Sequence, residues 1–97
     1  MPKGYWIAHV DVHDPETYKN YVAGATPAYQ EFGAKFLVRG TPSEQVEGEA
    51  LGARHVVIEF PTIEAARACY NSETYQEARK HRLAASTGRI VISEGAE

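Results

Sequence analysis

Cysteine is nearly absent from this 97-residue sequence, in which Cys69 stands alone. No disulfide can form within one chain, and no multi-thiolate metal site can be assembled from it. A basic excess is missing as well. Ten Lys and Arg against thirteen Asp and Glu give a formal charge of -3, which removes the drive toward phosphate backbones and anionic lipid. Neither nucleic acid nor membrane is an expected partner. No apolar run approaches the roughly 20 residues that span a bilayer, and His9, Asp11, His13 and Asp14 interrupt the early stretch where a secretory signal needs continuous apolar residues. A cytoplasmic location is the expectation. The chain also lacks a nucleophile elbow, a phosphate loop and the dinucleotide glycine pattern, so covalent hydrolysis and nucleotide chemistry have no support.

What is present is the balance of a globular protein: 43% hydrophobic and 24% charged residues exclude collagen-like and largely disordered chains. The length suits one domain, residues 1–97. A chain this small leaves roughly a third of its unfolded-state surface in water, so covering one face with a partner would help it.

Strand and helix periods alternate along the chain. Tyr5 to Val12 reads as a first strand, with Trp6, Ala8 and Val10 on one side and Tyr5, Ile7, His9 and Asp11 on the other. Asp14-Pro15 starts a helix, and Tyr18, Tyr21, Val22, Ala25, Ala28, Tyr29 and Phe32 form its apolar stripe until Gly33. Pro27 predicts a kink or restart, with Thr26 as a second cap. Lys35 to Arg39 is a second strand, with Phe36 and Val38 opposite Lys35, Leu37 and Arg39. The acidic connection that follows predicts a loop, with a short strand around Val46. Arg54 to Phe60 is a third strand, Thr62 and Ser72 cap two further helical stretches, and Arg89 to Glu94 is the last strand.

This order predicts an α+β, ferredoxin-like βαββαβ fold, a four-stranded antiparallel sheet with helices on one face. The outward set of strand residues mixes Ile7, Leu37, Val57 and Val91 with His9, Asp11, Lys35, Arg39, His55 and Glu59. Such a face is too apolar for water and too polar for a plain core, and a second subunit with a polar cavity between satisfies both constraints.

The run Lys3-Gly4-Tyr5-Trp6-Ile7-Ala8, then Asp14-Pro15-Glu16 with Tyr18 and Tyr21, Phe36-Leu37-Val38-Arg39-Gly40, Ile58-Glu59-Phe60-Pro61, and Glu94-Gly95 resembles the domain-of-unknown-function 1330 family. The resemblance covers nearly the whole chain. It implies membership of the dimeric α/β-barrel superfamily, in which two ferredoxin-like sheets pair face to face. Relatives there include cofactor-free monooxygenases, muconolactone-type isomerases, haem-dependent enzymes and stress-responsive proteins, so the fold does not dictate the reaction. It carries over no catalytic residue set.

The candidate site residues come from the mixed face. Arg39 and Glu59 are expected on neighbouring strands and the same side, where a guanidinium can clamp a substrate carboxylate and a carboxylate can act as base. A structural ion pair is the other reading, and the hairpin can set the two out of register. His9 and Asp11 share that face; His9 is a candidate acid or base near neutral pH and Asp11 a candidate substrate contact, with a hydrogen-bonded interface histidine as the other account. No metal is expected, since His9 and His13 on one strand lie roughly 13 Å apart and ligands must converge on the ion. No cofactor is expected either. Tyr18, Tyr21, Tyr29 and Trp6 read as core, and Cys69 as a buried inert thiol.

Two functions follow. In the first, a homodimer binds a small anionic organic molecule beside the sheet, as a cofactor-independent isomerase or monooxygenase-like enzyme, with Arg39 anchoring and Glu59 or His9 moving a proton. In the second, a non-catalytic dimeric structural or stress-response module uses the polar face for assembly alone.

Overall fold

In a computed structural model describing residues 2–96, the chain forms β1 (Gly4–Val12), α1 (Pro15–Glu31), β2 (Lys35–Arg39), β3 (Arg54–Phe60), α2 (Ile63–Asn71), α3 (Glu73–Ala85) and β4 (Ser86–Glu94). The sheet order is β2-β3-β1-β4 with every neighbouring pair antiparallel. This is the ferredoxin-like arrangement, its second helical region broken at Ser72. Each helix begins on a side chain that satisfies a free backbone N–H. Asp14 accepts from Thr17 N at 3.2 Å and Thr17 Oγ1 at 2.7 Å, and those bonds hold its carboxyl below its ordinary pKa. Thr62 accepts from Ala65 N at 3.1 Å and Ser72 from Tyr75 N at 3.2 Å.

Helix α1 runs through Pro27 as one element, against the expected restart. Thr26 caps nothing there; its hydroxyl donates back to Val22 O at 2.8 Å. Pro27 is exposed while Tyr21, Ala25, Ala28 and Tyr29 keep one buried face, so burial of that stripe offsets the missing donor. Strand β4 begins at Ser86, three residues before the expected Arg89, directly after α3. Gly88 therefore lies inside the strand. A Cβ there would stand 2.7 Å from His9 O, so glycine is what lets β4 close on β1.

The expected strand near Val46 does not form; residues 40–53 are a loop organised on Gln45. Gln45 Nε2 donates to the carbonyls of Glu47, Gly48 and Glu49, and Gln45 Oε1 accepts from Leu51 N. The far end of the loop is tied down where Asp11 Oδ1 accepts from Ala53 N at 2.9 Å. Because the segment has no Lys or Arg, a glutamate-specific protease is the suitable probe. Glu44, Glu47 and Glu49 should be cut before any other site, and Gln45→Ala should raise that rate several-fold. Uniform resistance along the chain would show the loop to be as firmly held as the sheet.

The core lies between sheet and helices. Trp6, Phe60, Tyr75 and Cys69 are its largest fully buried side chains. Burial pushes the Cys69 thiol up to about 12, which keeps it protonated and unreactive.

One irregularity sets the faces of the sheet. Lys35 pairs with Glu59 and Phe36 with Ile58, but beyond the bulge at Leu37, Val38 pairs with Val57 and Arg39 with Val56. The extra residue shifts the alternation by one. Val38 moves from the expected inward set to the open face, and Arg39 moves from the open face to the side of the helices.

Candidate functional site

Between the sheet and α1 lies a cavity walled by Trp6, Tyr18, Tyr21, Tyr29, Phe36 and Val56, with Arg39, Arg54 and Arg82 on its lining. The cavity volume is about 40 Å³. Each arginine arrives by a different route. Arg39 is turned inward by the Leu37 bulge and lies with its guanidinium carbon 4.0 Å from the centre of the Phe36 ring. Arg54 opens β3 opposite Val10, in phase with the buried Val56, Ile58 and Phe60, and faces Tyr18 at 5.8 Å. Arg82 stands on α3 seven residues after Tyr75 and four after Ala78, both buried. It is 6% exposed and lies 5.9 Å from the Tyr21 ring.

Among the described residues, none of these guanidiniums has a carboxylate within ion-pair distance, and no carboxylate lines the cavity. Nε of Arg54 and of Arg82 are buried without a hydrogen-bond partner within the described chain. Burial acts against the charge of Arg82, but the neighbouring phenols of Tyr75 and Tyr21 outweigh it and raise the pKa. The side chain therefore stays cationic. Among the described residues, what stands beside this buried cation is neutral phenols and not a counter-ion.

Beside Arg82 three phenols converge. Tyr21 Oη lies 3.0 Å from Tyr29 Oη and 3.0 Å from Tyr75 Oη. Three hydroxyls joined by two hydrogen bonds leave one O–H proton free to donate elsewhere. Burial raises the pKa of all three tyrosines. They are proton donors at neutral pH, never bases. The cavity thus offers cations, hydroxyl donors and aromatic walls, which is the chemistry that receives a small organic anion.

The open face of the sheet is different in kind. His9 Nδ1 lies 2.8 Å from His55 Nδ1, a contact that needs one of the rings neutral. Tyr5 donates to Glu59 at 3.2 Å, and Asp11 holds Ala53 N. Each of these polar groups has a partner on its own chain. The sequence reading had Arg39 beside Glu59, His9 and Asp11; the bulge separates them, with Arg39 on the helix side and the other three on the open side. It also left Arg54 and Arg82 out of the site. Their signal was a charged residue in phase with an apolar set, Arg54 ahead of Val56, Ile58 and Phe60, and Arg82 on the stripe of Tyr75, Ala78 and Ala85.

Residues 3–96 match the family described as domain of unknown function DUF1330. The chain belongs to the DUF1330 family. No protein of curated function matches it in sequence. Among solved structures, this DUF1330 chain is similar to a protein of unknown function from Rhodopseudomonas palustris, at 19% identity and a TM-score of 0.80, over 99% of this chain and 84% of that one. It is similar also to SnoaB, a cofactor-independent oxygenase from Streptomyces nogalater, at 12% identity and a TM-score of 0.65, over 100% and 96% of the two chains. A conserved protein of unknown function from Bacteroides thetaiotaomicron matches at 9% identity and a TM-score of 0.62, over 96% and 97%. At these identities the likeness is one of fold, and the ferredoxin-like architecture inferred from the strand order is the one shared. Among the described residues no helix is long and apolar enough to cross a membrane.

Proposed function

We propose that this DUF1330 chain is a cytoplasmic homodimer that binds a small organic anion in the cavity between helices and sheet. Arg82 is the anchor, Arg39 and Arg54 attract the anion at the mouth, and the Tyr21 cluster donates a hydrogen bond. The observation that carries this reading is the buried, carboxylate-free guanidinium of Arg82. A buried guanidinium faced by neutral phenols alone gains from an anionic ligand through charge-assisted hydrogen bonds. Reaction chemistry at the site is of the cofactor-independent isomerase or oxygenase type, in which Arg82 and the phenols polarise a bound oxygen. Support for that class comes from the fold shared with SnoaB and from proton donors in the lining. Glu59 and His9 have no part in it, because they sit across the sheet. The test is a thermal-shift series of small carboxylic acids on the parent and on Arg82→Met. Stabilisation of the parent alone supports the anchor, and equal shifts in both remove it.

The open face favours assembly. Ile7 and Val57 are half-buried in the isolated chain, Val91 is 53% exposed, and Tyr5, Glu59, His9, His55 and Asp11 among them already have partners. A twin sheet laid across them would bury this apolar set. Light scattering should report twice the 10.7 kDa chain mass. Val91→Glu should weaken the pair by at least about tenfold through a charge desolvated within the contact. A parent that is monomeric at micromolar concentration would overturn the homodimer.

A further inference from the structure

Arg82 and Ile90 belong to two hollows at once. On the far side of Arg82 from the Tyr21 cavity runs a groove between α3 and β4, walled by Tyr70, Arg79, Leu83, Gly88 and Ile92. Its volume is about 410 Å³, against about 40 Å³ in the inner cavity. We infer that this groove holds the apolar body of an anionic ligand, a monocarboxylic acid of benzoate or hexanoate size, whose carboxylate Arg79 and Arg82 grip together. The inference rests on Arg82 being the anion anchor; it takes the carboxylate of these larger acids to the Arg79 side of Arg82 and leaves the inner cavity to smaller anions.

Three observations converge on that ligand. Charge is the first: two guanidiniums share the groove, Nε of Arg79 and of Arg82 are both buried without a hydrogen-bond partner within the described chain, and no carboxylate lines it. Arg82, at 6% exposure, is too deep for water to screen fully. Lining is the second. Away from the arginines the walls are Leu83, Ile90, Ile92 and the Tyr70 ring, across which Arg79 lies at 6.0 Å. A second charge on the ligand would meet no partner there, so one carboxylate and an apolar remainder fit. Size is the third. A body of five or six carbons exceeds the inner cavity, while the groove is within the range of small-molecule sites. Leu83 is 54% exposed at the rim, positioned to cover an apolar ligand.

The test titrates benzoate and hexanoate into the purified chain by calorimetry, with acetate and benzyl alcohol as probes lacking the body or the charge. Benzoate and hexanoate should bind, and each partial probe at least about tenfold more weakly. Leu83→Glu puts a carboxylate on the groove rim at an exposed position that leaves the fold intact, and should weaken benzoate at least about tenfold by like-charge repulsion. Val22→Glu makes the same change at the inner cavity, where Val22 is 36% exposed, and should leave benzoate within about twofold. The reverse pattern overturns the groove while the inner-cavity site stands. Acetate binding that Arg82→Met abolishes, with neither larger acid bound, has the same meaning. Benzoate binding that Arg82→Met leaves unchanged removes both. A Leu83→Glu chain whose oligomeric mass falls shows a second copy seated in the groove and also overturns the inference.

Discussion

Arg82→Met should melt no lower than the parent in the absence of ligand, and should lose most of the affinity for small carboxylates. Both halves follow from one cause. The guanidinium is buried at the sheet-facing side of α3 with no carboxylate among the described residues to balance it. Exchanging a buried ion for an apolar side chain of similar volume is often neutral or stabilising. Met fills the same space beside Tyr21 and removes the desolvation. A charged hydrogen bond to the ligand is worth about 1.5–3 kcal/mol, so its loss should weaken binding roughly 10- to 150-fold. If instead the variant melts several degrees lower and still responds to acids, Arg82 is a structural donor to the phenols. The pH profile gives an independent check. Arg82 has its pKa raised, so it is charged throughout the working range, and the tyrosines are raised above their ordinary value of 10.0. Affinity should therefore fall only as the ligand's own carboxyl protonates, near about pH 4, and stay level from there to beyond pH 9.

Trp6→Ala is the largest structural loss expected. Trp6 is 1% exposed, donates its indole N–H to Ala66 O at 2.9 Å, and is met edge-on by Tyr29, Tyr70 and Tyr75. It therefore joins β1 to all three helices. Removing it opens a void that rigid aromatic neighbours cannot fill and takes from Ala66 O the second hydrogen bond that the indole supplies. Such truncations cost about 3–5 kcal/mol, a large part of the ~5–15 kcal/mol that holds a domain together. Urea unfolding followed by far-UV circular dichroism should show the midpoint drop accordingly, and Trp6→Phe should recover most of it. A loss under about 1 kcal/mol would mean that α1 and α2 collapse onto the gap.

How legible this was depended on whether a pattern was local. Trp6, Ala8 and Val10 alternate with Tyr5, Ile7 and His9 without interruption, and the structure keeps them on the sides their parity assigns. The helix caps at Asp14, Thr62 and Ser72 could be read because capping involves a side chain and a backbone group three residues apart. The restart that Pro27 suggests does not occur, because its cost is local while the burial of Tyr21, Ala25, Ala28 and Tyr29 that outweighs it is tertiary. The site was legible in part. Arg39 reads from the sequence as an anion anchor on the face opposite to the one it occupies, and Arg82 stands on the α3 stripe as one more residue at helical spacing.

The order of elements, the inward apolar layer and the helix starts were determined by the sequence itself, because period and capping need only neighbours along the chain. Tertiary structure alone decided where the candidate site lies. The bulge at Leu37 arises from how β2 meets β3, and one extra residue there reverses every side chain beyond it, carrying Arg39 through the sheet to the side of Arg54 and Arg82. Their convergence on one cavity joins β2, β3 and α3, and no spacing along the chain encodes it.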